Sequence, residues 1–300
     1  MARNTAASVH RRLLNMARET SRPFNELLQL YAIERFIYRL SQSSYADRFI
    51  LKGALMLLAW NNRATRPTLD IDLLGKIANT HAVIIAAMQE ICDIEVEADG
   101  MSYKAETVRA ARIAEDAEYE GVRVRLQGEL GNAQIYLQID IGFGDVLVPG
   151  PGTVIYPSLL GFTSPVVYGY SIESIIAEKF HAMVKHGVLN SRMKDFYDVW
   201  LLSRSYGFVG AILTRAIAET FKNRNTPVPA APTVFDPSFV ADNSKQAQWN
   251  GFVTKAKLLN TPQSFDDITA DIKVFLKPIV DSLVQQQAFD REWTAPGPWR

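Results

Sequence analysis

Asp70 and Asp72 carry the clearest chemical possibility in the chain. They sit in Thr68-Leu69-Asp70-Ile71-Asp72-Leu73-Leu74-Gly75. On an extended segment side chains alternate, so Leu69, Ile71 and Leu73 share one face while both aspartates project from the other. Neighbouring carboxylates repel unless a cation lies between them, and the natural cation is magnesium, which favours carboxylate and phosphate oxygens. A bare Asp-x-Asp is more often the mark of a solvated edge strand. Here the flanks are apolar and a glycine turn precedes, at Lys52-Gly53-Ala54, where Phe49-Ile50-Leu51 runs into a short buried helix over 54–60. A glycine opening a helix N-terminus offers N–H groups and partial positive charge to phosphate.

A third acid lies on a strand of its own. Residues 134–141 alternate, with Ile135, Leu137, Ile139 and Ile141 on one face and Gln134, Tyr136, Gln138 and Asp140 on the other. Residues 122–126 alternate as well, and 128–132 supplies a turn, so the two segments read as a hairpin. If the second strand pairs beside 69–74, three carboxylates converge; otherwise Asp140 is a strand-end acid satisfied by backbone. In a helix over 172–186, Lys179 falls within the stripe of Ile172, Ile175, Ile176, Phe180 and Met183. A lysine there snorkels outward, pairs with an acid, or serves a triphosphate. The next helix places Asp195 and Asp198 on one face, with Arg192 and Lys194 just before.

The elements that must position these residues read in order as helices over 5–20 and 25–42, the glycine turn, the Asp-x-Asp strand, a helix over 80–92, a polar stretch over 93–121 without assigned chemistry, and the hairpin. From Ser171 onward the pattern is helical. A Pro-rich surface connection over 226–237 precedes amphipathic helices over 238–260 and 264–288, and the tail carries no reading. The first forty residues hold seven arginines (3, 11, 12, 18, 22, 35 and 39) against Glu19, Glu26 and Glu34. That excess suits a polyanion or a solvated helix pair.

The 300 residues, 48% hydrophobic and 21% charged, suffice for two domains, here 1–168 and 169–300. Thirty-two basic residues balance thirty-two acidic ones, so nucleic-acid binding would need a local patch. Cys92 is the single cysteine, which excludes an internal disulfide and fits a reducing cytoplasm. No signal-like or membrane-spanning run occurs. Gly142-Phe-Gly144 leads into Val146-Leu-Val-Pro149 where a dinucleotide fold needs a helix, and His10, His81, His181 and His186 lack zinc-site spacing.

Four blocks together resemble the AbiEii/AbiGii nucleotidyltransferase toxins of bacterial type IV toxin–antitoxin pairs. They are Phe49-Ile-Leu-Lys-Gly-Ala-Leu55, Arg66-Pro-Thr-Leu-Asp-Ile-Asp-Leu-Leu-Gly75, Leu137-Gln-Ile-Asp-Ile-Gly-Phe-Gly-Asp145, and Ala177-Glu-Lys-Phe180 with Asn190-Ser-Arg-Met-Lys-Asp-Phe-Tyr-Asp-Val-Trp-Leu-Leu202. The resemblance implies an α+β chain: a polymerase-β-like nucleotidyltransferase domain, with a mixed sheet and flanking helices, then a helical domain. It implies magnesium on Asp70, Asp72 and Asp140, with Lys179 and Asp195 in catalysis. Nucleotide binding would fall to Lys52, Gly53, Ala54, Arg66, Thr68, Arg192, Lys194 and Asp198. An NTP would be the donor, the tRNA 3′ end the acceptor, and an antitoxin the partner of a cytoplasmic protein. Ala54 stands where relatives commonly carry Gly or Ser, and Leu69 where they often carry a charge. Alternatives are a transferase acting on a protein or small molecule, and an idle scaffold of the same fold that binds an antitoxin.

Overall fold

In the computed structural model, which describes residues 2–60, 68–113 and 121–300, the alternating segments become one mixed sheet. Helices α1 (Ala2–Thr20) and α2 (Phe24–Gln42) lead into β1 (Phe49–Lys52), the short helix α3 (Leu55–Ala59) and β2 (Asp70–Gly75). Helix α4 (His81–Cys92) follows, then the strands β3 (Met101–Arg112), β4 (Val122–Leu130) and β5 (Ala133–Phe143). Two short strands, β6 (Gly152–Ile155) and β7 (Val166–Gly169), complete the sheet. Its order among the described residues is β3-β4-β5-β2-β1-β7-β6, and β2 runs parallel to β5 and antiparallel to β1.

Alternation sets the two faces of the sheet. Ile71 and Leu73 on β2 and Ile139 and Ile141 on β5 are fully buried, with α2 packing on β5 and α4 on β3. Each such side chain contributes ~1.5–3 kcal/mol on burial. Thr80 caps α4 by accepting the Val83 N–H. The opposite face of the central strands carries Asp70, Asp72, Gln138, Asp140, Arg123 and Arg125.

The arginine-rich start does not form one basic surface. Arg35 and Arg39 are buried with Asp99 and Glu34, because α2 lies inside the structure. Arg35 also donates to the Thr163 carbonyl, while Glu34 accepts from Ser158 and the Leu159 N–H, so this network ties the 158–163 loop to α2. Arg22 pairs with Glu26. Arg11, Arg12 and Arg18 remain exposed, though Arg12 donates to the Leu160 carbonyl and lies over the Phe162 ring.

The chain divides into two compact units: residues 1–144 with 152–169, and residues 145–151 with 170–300. The second unit holds α5 (Ile172–His186), α6 (Met193–Ser205), β8 (Phe208–Val209), α7 (Gly210–Asn223), α8 (Pro237–Val240), α9 (Asn243–Ala256), α10 (Phe265–Val284) and β9 (Glu292–Trp293). The Pro-rich connection is not wholly superficial. Val234 and Phe235 are buried, and Phe235 stacks on Phe180 at 6.2 Å. The tail is ordered by Trp293 and Trp299, which pack on Phe275, while Trp299 donates its indole N–H to the Phe275 carbonyl. No helix among the described residues is long and apolar enough to cross a membrane.

Candidate active site

Strand register brings the sheet's acids together. Asp72 and Asp140 are direct partners on the parallel strands β2 and β5, and Asp70 lies opposite Gln138. Lys52 is the partner of Asp72 on β1, and Arg123 the partner of Asp140 on β4. Four neighbouring strands therefore carry Lys52, Asp72, Asp140 and Arg123 in one row, two carboxylates between two cations. Adjacent strands are ~4.8 Å apart, close enough for the charges to act strongly on one another.

Arg123 grips Asp140 at both oxygens. Its Nε donates to Oδ1 and its Nη2 to Oδ2, each at 2.8 Å, with side chains 27% and 20% exposed. This is the bidentate fork that gives arginine–carboxylate pairs their strength. Arg123 lay in a strand recognisable from its alternation, but its partner could be known only from the register.

Gly53 packs directly against Asp72. Its φ is +69°, and a Cβ at this position would overlap the Asp72 carboxylate. Glycine is required on both counts. Ala54 is buried, Lys52 and Thr68 are half-buried, and the α3 that follows spans five residues, too short for a large dipole. Arg66 lies outside the described residues.

The second unit carries its own charged centre. Lys179, with its side chain 12% exposed, donates to Asp195 Oδ1 at 3.0 Å and pairs with Asp198 Oδ2 at 2.6 Å. Asp195 Oδ2 also accepts from Arg192 Nε at 2.6 Å. Burial pushes the Asp195 carboxyl up, but the Lys179 and Arg192 charges and hydrogen bonds outweigh it and hold the group at about 2. Of the roles open to Lys179, pairing with acids is observed. Lys194 is exposed.

Two further groups in this unit escaped sequence reasoning. Asp145 accepts from the Tyr170 hydroxyl at 2.9 Å and from Arg224 at 3.0 Å, and Arg224 reaches Glu178 at 3.3 Å. Lys245, 5% exposed, donates to the carbonyls of Val188 and Asn190 at 2.9 Å each. Buried Asn190 in turn accepts the Arg192 N–H at 2.8 Å. Lys245 thus holds the loop from which Arg192 enters α6, and no local pattern announces a contact spanning 55 residues.

The donor chemistry on the sheet fits one magnesium ion. Asp70 is exposed and Asp72 half-buried, and magnesium commonly takes one or two carboxylates and completes its shell with water and substrate phosphates. Asp140 is held at both oxygens by Arg123. Among the described residues no group of three or more His, Cys, Asp or Glu side chains could hold a metal ion.

A family model described as "Nucleotidyl transferase AbiEii toxin, Type IV TA system" matches residues 35–271. The chain belongs to the AbiEii nucleotidyltransferase toxin family. The AbiEii match spans both compact units and includes every candidate residue on the sheet and in α5 and α6. Comparison with curated protein sequences gave no match. Among solved structures, the AbiEii chain is similar to a Helicobacter pylori protein assigned as a nucleotidyltransferase, at 14% identity and a TM-score of 0.48, covering 88% of this chain and 98% of that one. It is also similar to JHP933 from Helicobacter pylori, at 15% identity and a TM-score of 0.47, covering 87% and 94%. As an AbiEii member, the protein is a nucleotidyltransferase.

Proposed function

We propose that this enzyme moves a nucleoside monophosphate from an NTP to the 3′ hydroxyl of tRNA, in a magnesium-dependent reaction, as a toxin restrained by a cognate antitoxin. The observation that carries the reading is register: Asp72 lies directly beside Asp140, with Asp70 two residues away on the same face. Asp70 and Asp72 would hold magnesium together with phosphate oxygens. Such an ion supplies positive charge to phosphate oxygens as pyrophosphate departs.

The other residues bind and orient. The turn at Gly53 and Ala54 receives phosphate oxygens on its backbone, and Lys52, Arg66 and Thr68 contribute to nucleotide binding. Asp140, oriented by Arg123, lies on the acceptor side. The hydroxyl oxygen bonds to the α-phosphorus, the bond to pyrophosphate breaks, and the hydroxyl proton is released. In the helical unit, Lys179, Arg192 and Lys194 offer positive charge to phosphate, with Asp195 and Asp198 orienting the Lys179 ammonium.

The test is to incubate purified protein with magnesium, total tRNA and each α-labelled NTP in turn. Label at the tRNA 3′ end, lost in Asp70→Asn and Asp72→Asn, is expected. Label appearing only in protein or small-molecule pools would reassign the acceptor, and no transfer to any pool would defeat the reading.

A further inference from the structure

We propose that Arg123 takes the place of a second divalent ion at Asp140, so that the site binds one ion per chain. This rests on the reading of the sheet face as the transferase centre. Three observations carry it. Arg123 donates to both Asp140 oxygens at 2.8 Å, which satisfies the carboxylate in the bidentate manner that an ion would otherwise adopt. The two residues are direct partners within the continuous β4–β5 ladder from Val122–Ile141 to Leu130–Ala133, so the backbone brings them together. The row Lys52, Asp72, Asp140, Arg123 balances two negative charges with two positive ones, and Asp70 and Arg125 lie on the same face.

An ion entering at Asp140 has to break two charge-assisted hydrogen bonds and then sit beside a guanidinium. An ion at Asp70 and Asp72 gains substrate phosphates as ligands. Arg123 is accordingly a positioning residue. It supplies fixed positive charge and aims the Asp140 carboxylate while keeping a mobile ion away.

Manganese stands in for magnesium in the experiment. Bound Mn²⁺ per chain is counted by electron paramagnetic resonance, with the α,β-methylene analogues of ATP, CTP, GTP and UTP added in turn. The wild-type protein is expected to bind one ion, and Asp140→Asn to bind one ion with affinity changed less than threefold. Arg123→Gln, which frees the carboxylate, is expected to bind two, whereas Arg123→Lys, which keeps the charge, is expected to bind one. Two ions on the wild type, loss of an ion in Asp140→Asn, or a single ion on folded Arg123→Gln would each overturn the proposal. Should Arg123→Gln fail to fold by circular dichroism, the wild-type and Asp140→Asn counts decide alone. Asp70→Asn separates the two claims. An undiminished ion count in that variant defeats the transferase reading, whereas two wild-type ions defeat only the role given to Arg123.

Discussion

Gly53 and Asp72 are in such close contact that neither can change alone. Gly53→Ala would add a methyl group where the Asp72 carboxylate lies and would force alanine to a φ of +69°. Strain of ~1–3 kcal/mol is expected, with transfer activity falling by at least tenfold because the carboxylate must turn away. Near-wild-type activity in a folded variant would show that Asp72 is not held there for catalysis. Lys179 bears structural as well as chemical responsibility. Lys179→Met would leave Asp195 and Asp198 buried without their ammonium partner, at a cost of about 3–5 kcal/mol. Calorimetry should then record a melting temperature lower by roughly 10 °C. The same carboxylate gives acid sensitivity. Asp195 titrates at about 2 in the folded chain, below its usual value of 3.8, so its contribution is complete above about pH 4 and is lost as pH falls toward 2. Asp195→Asn should flatten stability against pH across that interval; an unchanged slope would place the acid sensitivity elsewhere.

At the scale of elements, loop and strand register decide which side chains meet. Lys245→Met removes the ammonium that holds the Val188 and Asn190 carbonyls. Faster proteolysis near 187–192 is expected, with KM for the NTP raised more than kcat is lowered, because Arg192 enters α6 from this loop. The paired aspartates and Asp140 were legible in the sequence because each stands on a strand with clean alternation. Arg123 was not, because a turn over 128–132 would pair Gln127 with Ala133 and put Arg123 opposite Leu137. The observed hairpin instead turns at Gly131 and Asn132, with Gly131 at φ +60°, and pairs Leu130 with Ala133. Strand β3 was hidden for a related reason. Its register shifts between Lys104 and Arg109, so the apolar positions Met101, Tyr103 and Val108 do not follow one period of two. The network of Asp145, Tyr170, Arg224 and Glu178 joins residues far apart in the chain, and no periodicity records such meetings.

At the scale of the whole molecule, charge and chain path matter most. The net formal charge is zero, so any RNA binding would rely on local clusters. Arg11 and Arg18 are the exposed pair on α1 best suited to test, since Arg12 also secures Leu160. Arg11→Glu with Arg18→Glu should reduce the slope of log affinity against log salt by about 1.5; an unaltered slope would exclude α1 as an RNA contact. The path of the chain has a practical consequence. After β5 it lends residues 145–151 to the helical unit, returns for β6 and β7, and departs again at Tyr170. Severing the polypeptide just before Tyr170 would therefore strand the Asp145 carboxylate on one fragment and its hydroxyl and guanidinium donors on the other. Separate expression of the two pieces should yield a sticky N-terminal fragment and a helical fragment that melts early, whereas mixing them should restore both.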